Sequence, residues 1–158
     1  MRRRIRCALA AILFALLPDA LLAQVTEKKA MTLAAAERIA AAAQAEAARR
    51  GWPGVIAVVD DAGWPILIVR MDDAKLLAGV ELAPGKARTA ALFRKPSEAL
   101  EDAINHGRIA ATTAPFIAMK GGLPIVLDGE ILGAIGVSTD TPDHDIEIAK
   151  AGLAAFLP

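Results

Sequence analysis

Residues 121–137 read GGLPIVLDGEILGAIGV, and this stretch constrains the fold more than any other. Two apolar runs, Leu123–Leu127 and Ile131–Val137, flank an Asp128-Gly129 pair. Asp-Gly between β-prone runs predicts a tight hairpin, because the turn needs positive φ and glycine supplies it without strain. Gly133 and Gly136 interrupt the second run. Glycine inside a strand marks a bulge or a place where another backbone or a ligand comes close. Both faces of the hairpin are apolar, which predicts a central position covered by helices.

The remaining elements are read outward from that hairpin. Thr32 is a good N-cap for a helix over 34–50 that ends at Gly51, with Pro53 just beyond. Val55–Val59 and Pro65–Met71 are short strands joined by Asp60-Asp61-Ala62-Gly63, a second hairpin. Val80–Phe93 carries a helical pattern whose real start is placed near Gly85 by Pro84 and Gly85. Ser97–His106 predicts a short helix, closed by the turn Asn105-His106-Gly107. The stretch from Arg108 to Met119 reads as loop, with Phe116–Met119 a candidate strand. Thr141-Pro142 opens a last helix running through Phe156, with proline in the first turn where a missing N–H costs nothing. Hairpins dominate, so the sheet is expected to be mainly antiparallel, in an α+β layered domain with helices on its faces.

The start of the chain reads differently. Arg2, Arg3, Arg4 and Arg6 form a basic region, Ala8–Leu17 is an unbroken apolar run, and Ala23 offers a small residue for cleavage. This is the pattern of a secretory signal peptide over 1–23, too short to span a bilayer comfortably. Cys7 precedes the apolar run and is not placed as a lipoprotein acceptor. A periplasmic or secreted protein without a stable membrane anchor is expected, formed as a single domain over 24–158. Removal of 1–23 leaves 14 basic and 17 acidic residues, a net charge of −3. That balance lacks the clustered basic face nucleic acid requires. It also leaves no cysteine, which excludes disulfides, thiolate catalysis and cysteine-ligated metal from the mature chain. The abundance of alanine lets helices approach closely, and an oligomer is a natural way to bury so much apolar surface.

Five motifs, in order, carry a resemblance to a known family. They are AVVDDAG (57–63), VRMDDA (69–74), GKARTAALFRKPS (85–97), GGLPIVLDGEILGAIGVS (121–138) and DIEIAKAGLAA (145–155). Together they resemble the GlcG/HbpS-like family, whose domain also forms the C-terminus of PduO-type corrinoid adenosyltransferases. The resemblance runs from about Met31 to Phe156. It implies a profilin-like domain with a five-stranded antiparallel sheet, assembled into homo-oligomers such as octamers. It also implies haem as ligand, in haem or iron sensing or in protection against oxidative stress. Other members suggest two alternatives: an enzyme or binding protein for a small hydroxy or oxo acid such as glycolate, and an oligomeric partner of a sensor protein.

The residues available for such chemistry are few. Haem iron takes an imidazole or thioether ligand from a partly apolar pocket. The histidines are His106, in a turn, and His144, at the start of the last helix; Met119 and Met71 are the thioether candidates. Relatives often carry glycine and glutamine at the two histidine positions, so no axial ligand is assigned. Lys86 and Asp145 lie in motifs the family shares, and with Gly121 and Gly122 they form a candidate cradle for a carboxylate or a haem propionate. The alternative for the pair is an exposed ion pair of little energetic worth. Glu98, Glu101 and Asp102 share one helix, and Glu98 with Asp102 could hold a hard cation weakly; a solvated acidic face is the other reading. No catalytic residue is identified. Neither a Ser–His–Asp pattern, a phosphate loop nor a paired-histidine metal motif is present.

Overall fold

The structure is a computed structural model that describes residues 27–156, so the expected signal peptide lies outside the described residues. Helix α1 (Leu33–Arg50) is followed by strands β1 (Val55–Asp60) and β2 (Pro65–Arg70), then by helices α2 (Gly79–Phe93) and α3 (Glu98–Asn105). A 3-10 helix (Ile109–Thr113), strands β3 (Gly122–Leu127) and β4 (Glu130–Ser138) and helix α4 (Pro142–Ala154) complete the chain. The strands form one sheet in the order β2-β1-β4-β3, with every neighbouring pair antiparallel. The α+β antiparallel architecture is as expected, but the sheet has four strands where five were expected.

Local chemistry explains most element ends. Thr32 Oγ1 accepts from Ala35 N at 3.2 Å, and Gly51 closes α1 with φ 70°. Asp60 Oδ1 accepts from Ala62 N at 3.0 Å and Trp64 N at 2.8 Å, which shapes the first hairpin turn. In the second hairpin Asp128 (φ 51°) and Gly129 (φ 79°) both lie in the left-handed region, as a type I′ turn requires. Thr141 Oγ1 accepts from His144 N at 3.3 Å, with Pro142 opening α4. Only β4 is central. β3 lies at the sheet edge, where Pro124, which has no N–H to donate, is tolerated.

Two expectations fail for identifiable reasons. Helix α2 begins at Gly79 and runs through Pro84 instead of starting near Gly85. Gly85 marks a contact, because a Cβ there would collide with Ile117 Cγ1. Phe116–Met119 is not a strand. Its carbonyls are taken by side chains, Ile117 O by Thr89 Oγ1 at 3.0 Å and Met119 O by Ser97 Oγ at 2.6 Å, so it runs alongside α2 without a strand partner.

The sheet has a helical layer on each side. Ile56, Val58, Ile135 and Val137 face α1 and α4, where Ile39, Ala43 and Ile148 complete the main core. Val59 and Ala134 face α2 and pack on Ala87, Ala90 and Ala91. At Gly136 the approach of α2 is closest. A methyl group there would collide with Ala83 O and lie 2.6 Å from Ala87 N. Among the described residues no helix is long and apolar enough to cross a membrane.

Gly136→Ala is therefore expected to force α2 off the sheet. Overpacking of this kind costs about 1–3 kcal/mol or more, which should lower Tm by roughly 5–15 °C in a thermal melt.

Candidate functional site

The four residues read as a cradle are brought together, but in a closed arrangement. Lys86 is 2% exposed and Asp145 3%. Lys86 Nζ donates to Asp145 Oδ2 at 2.7 Å and to Val137 O at 3.1 Å. Asp145 Oδ1 accepts from Thr139 N at 2.6 Å and Thr139 Oγ1 at 2.7 Å. The pair is thus buried and satisfied rather than an exposed ion pair on the surface. Gly121 (φ 125°) and Gly122 make room for it. A Cβ at Gly121 would lie 3.0 Å from Lys86 Nζ and 2.9 Å from Asp145 Cβ, and one at Gly122 would collide with Lys86 O. Gly122 N is spent on Ser97 Oγ at 2.8 Å. A pocket of about 100 Å³ beside the pair, walled also by Leu76, Leu82 and Met119, has room for only a few water-sized groups. A paired ammonium and carboxylate present no net charge to attract an anion into it.

A larger cavity, about 390 Å³, lies on the α2 side of the sheet. Its floor is Thr89, Phe93 and Pro96, and its roof is Leu100 and Ala103 of α3 with Ala111 of the 3-10 helix. Lys95 and Arg108 also line it, and neither forms a salt bridge among the described residues. An apolar chamber of this volume with a few polar groups is the usual form of a small-molecule site. Reading the sequence by motif missed Lys95 and Arg108. The available signal was the pair of basic positions flanking the apolar stripe Ala99, Leu100, Ala103.

The two histidines sit in different layers. His106 caps the C-terminal end of α3, three residues beyond Ala103, and its Nδ1 lies 2.7 Å from Asp102 O. A carbonyl oxygen only accepts, so Nδ1 carries the proton and the Nε2 lone pair is left for a ligand or metal. His144 lies on α4, in the helical layer on the other side of the sheet from α2. Its ring stacks on Trp52 with centroids 3.5 Å apart and planes 6° apart, and Nδ1 is 2.7 Å from Asp140 Oδ1. Arg50 covers the same Trp52 ring at 4.8 Å. Met119 lines the small pocket, and half-buried Met71 packs against the main core.

The acidic residues of α3 do not gather into a metal site. Among the described residues no group of three or more His, Cys, Asp or Glu side chains is placed to hold a metal ion. Glu101 Oε2 instead accepts the backbone N–H of Lys120 at 2.7 Å, and Glu98 lies 4.0 Å from Lys120 Nζ. Asp102 is exposed and supplies only its carbonyl, to His106.

Two predictions follow from this geometry. Removing one member of a buried pair leaves an uncompensated charge, so Lys86→Met and Asp145→Asn should each cost about 3–5 kcal/mol in urea denaturation. The double variant should cost less than the sum of the two by more than about 1 kcal/mol. Asp140 is held below the usual carboxylate range, chiefly by its hydrogen bond from His144. Its contribution to stability is full above the unfolded aspartate value of about 3.9 and is lost as pH falls through the depressed native value. His144→Ala should therefore raise the Asp140 pKa toward about 3.9 in a carboxyl NMR titration.

Comparison with known proteins places this arrangement. The profile of the haem-degrading protein HbpS-like family matches residues 31–154. Protein GlcG of Escherichia coli K12 is 42% identical over 104 residues, which cover 65% of this chain and 77% of that protein. Among solved structures, a double mutant of Streptomyces reticuli HbpS superposes with a TM-score of 0.79 at 28% identity, over 85% of this chain and 92% of that one. A PduOC:heme complex superposes with a TM-score of 0.73 at 29% identity, over 80% and 95% of the two chains. With its profile match spanning nearly the whole described domain and GlcG so similar in sequence, the chain belongs to the HbpS-like family.

Proposed function

We propose that this protein binds haem in the cavity between α2, α3 and the 3-10 helix. The observation that carries the reading is a chamber of about 390 Å³, mostly apolar in its lining, with two cations that no carboxylate of the described residues neutralises. A haem is a flat apolar macrocycle bearing two carboxylates, so the residues present fit its chemistry. Phe93, Pro96 and Leu100 would face the ring, and Lys95 and Arg108 would hold the propionates. Arg108 suits a carboxylate because its guanidinium can form two parallel hydrogen bonds. His106 lies outside the cavity lining, between the lining residues Ala103 and Arg108 in the chain, and is the histidine of this segment that would offer a nitrogen ligand, its Nδ1 facing Asp102 O at 2.7 Å. Bound haem would supply redox and oxygen chemistry at its iron. The family's description and the haem complex of PduOC support the same ligand.

The same two cations favour a second reading, a small hydroxy or oxo acid held by Lys95 and Arg108. Such an acid leaves much of the chamber unfilled, whereas a macrocycle uses its apolar walls. Self-association suits the exposed apolar side chains of Trp64 and Ile68 at the β2 edge of the sheet, and we infer a homo-oligomer. The basic and apolar start of the chain supports export to the periplasm or beyond.

Haemin titrated into residues 24–158 should give a sharpened, shifted Soret band that saturates near one haem per chain. His106→Ala should displace that band. Arg108→Ala should weaken affinity roughly three- to tenfold, toward the lower end because the guanidinium is exposed. A spectrum identical to haemin with a non-binding control protein, together with saturable binding of glycolate, would favour the small-acid reading.

A further inference from the structure

We propose that α3 and the 3-10 helix form a lid over the cavity, pivoting at Ser97 and latched shut by Glu101. The proposal rests on the reading of the cavity as the ligand site and adds how that site is loaded.

Between Glu98 and Lys120 not one residue is buried, although α3 has an apolar stripe in Ala99, Leu100, Ala103 and Ile104. α3 and the 3-10 helix pack on each other, and neither makes a comparably extensive contact with any other element. Beneath them lies the cavity, not core. A segment with few buried apolar contacts opens locally at a fraction of the free energy that unfolds the domain.

The ends of this segment are held at one point. Ser97 is buried. Its N–H donates to Gly122 O at 2.9 Å, its hydroxyl donates to Met119 O at 2.6 Å, and the same oxygen accepts from Gly122 N at 2.8 Å. One residue thus joins the departing chain to the returning chain and to β3. The return arm is docked on α2. Phe116 meets Phe93 edge-on with centroids 5.0 Å apart, Ile117 lies against Gly85, and Thr89 Oγ1 donates to Ile117 O. The body free to swing is therefore residues 98–113, bounded by Pro96-Ser97 on one side and Ala114-Pro115 on the other. The closed position is held across the gap chiefly by a charge-assisted bond, Lys120 N–H to Glu101 Oε2 at 2.7 Å, with Glu98 farther off at 4.0 Å from Lys120 Nζ. Breaking it exposes groups that water can solvate, so opening leaves no buried polar atom stranded. A lid of this kind would let an amphipathic acid as large as haem enter the chamber and then be covered by it.

Hydrogen exchange measured by mass spectrometry tests the lid on the ligand-free protein. Amides of 98–113 should exchange together, about 100-fold or more faster than those of 86–92 and 133–137. Glu101→Ala should raise exchange across all of 98–113 by a common factor of roughly 5–20, with α2 and β4 unchanged. In Glu101→Ala, haemin should also associate faster by a similar factor. Exchange in 98–113 as slow as in α2 would overturn the proposal. So would a Glu101→Ala effect confined to the turn around Glu101 or spread through the whole domain. Normal lid exchange without any protection by haemin would instead count against haem as the ligand and leave the moving roof in place.

Discussion

The buried Lys86–Asp145 ion pair holds the two halves of this domain in register. Lys86 rises from α2, on one face of the sheet, and Asp145 from α4, on the other. They meet where β3 has just begun and β4 is about to end, beside Val137 O and the Gly121 backbone. Desolvating both charges costs several kcal/mol per ion, and only excellent geometry with every remaining hydrogen-bonding group satisfied offsets it. Here the ammonium also meets Val137 O, and the carboxylate also meets Thr139 N and Oγ1. The arrangement therefore acts as a positional lock. It fixes how far α2 and α4 wrap the sheet edge and where the Gly121-Gly122 segment enters β3.

Close approach of backbone to backbone is the second constraint, and it depends on side chains that are absent. Gly136 admits α2 onto the sheet, and Gly122 admits the Lys86 main chain. Ala83, Ala87, Ala90 and Ala91 keep the same helix flush with β1 and β4. Interiors packed this tightly transmit any added volume as displacement. The small-residue composition thus produces a thin, stiff layer of helix on sheet. Larger apolar side chains such as Phe93 are left at the exposed end of α2, where they line the cavity.

Electrostatics separates the small pocket from the larger cavity. Around Lys86 every charge is matched and the space is small. Around Lys95 and Arg108 no carboxylate of the described residues matches the charges, the walls are mostly apolar, and the roof is the least anchored part of the described domain. A matched, buried pair has its hydrogen-bonding capacity used within the fold, while unmatched cations beside an apolar chamber leave theirs for a ligand. The stacked Trp52 and His144 rings, on the opposite layer, join the end of α1 to the start of α4 and stand apart from the cavity. His106, at the end of α3, is the histidine nearer in the chain to the lining residues Ala103 and Arg108, but it does not itself line the cavity.

Much of this protein follows from local sequence chemistry. Thr32 and Gly51 bound α1, Asp128-Gly129 makes a type I′ turn, and Thr141-Pro142 starts α4, because caps and tight turns depend on the φ, ψ and hydrogen bonds of a few adjacent residues. The gathering of Lys86, Gly121, Gly122 and Asp145 was also readable, since all four sit in motifs of the family. Whether they form a binding cradle or a closed lock was not, because burial of Lys86 depends on contacts from residues more than fifty positions away. Pro84-Gly85 looked like a helix start for the same reason: the demand for glycine comes from Ile117, across the fold. The cavity, the two cations that line it and its loosely held roof belong entirely to tertiary structure. Sequence determined which elements form and where they turn. Packing at a distance decided which charges are neutralised, which glycines are contacts and where open space remains.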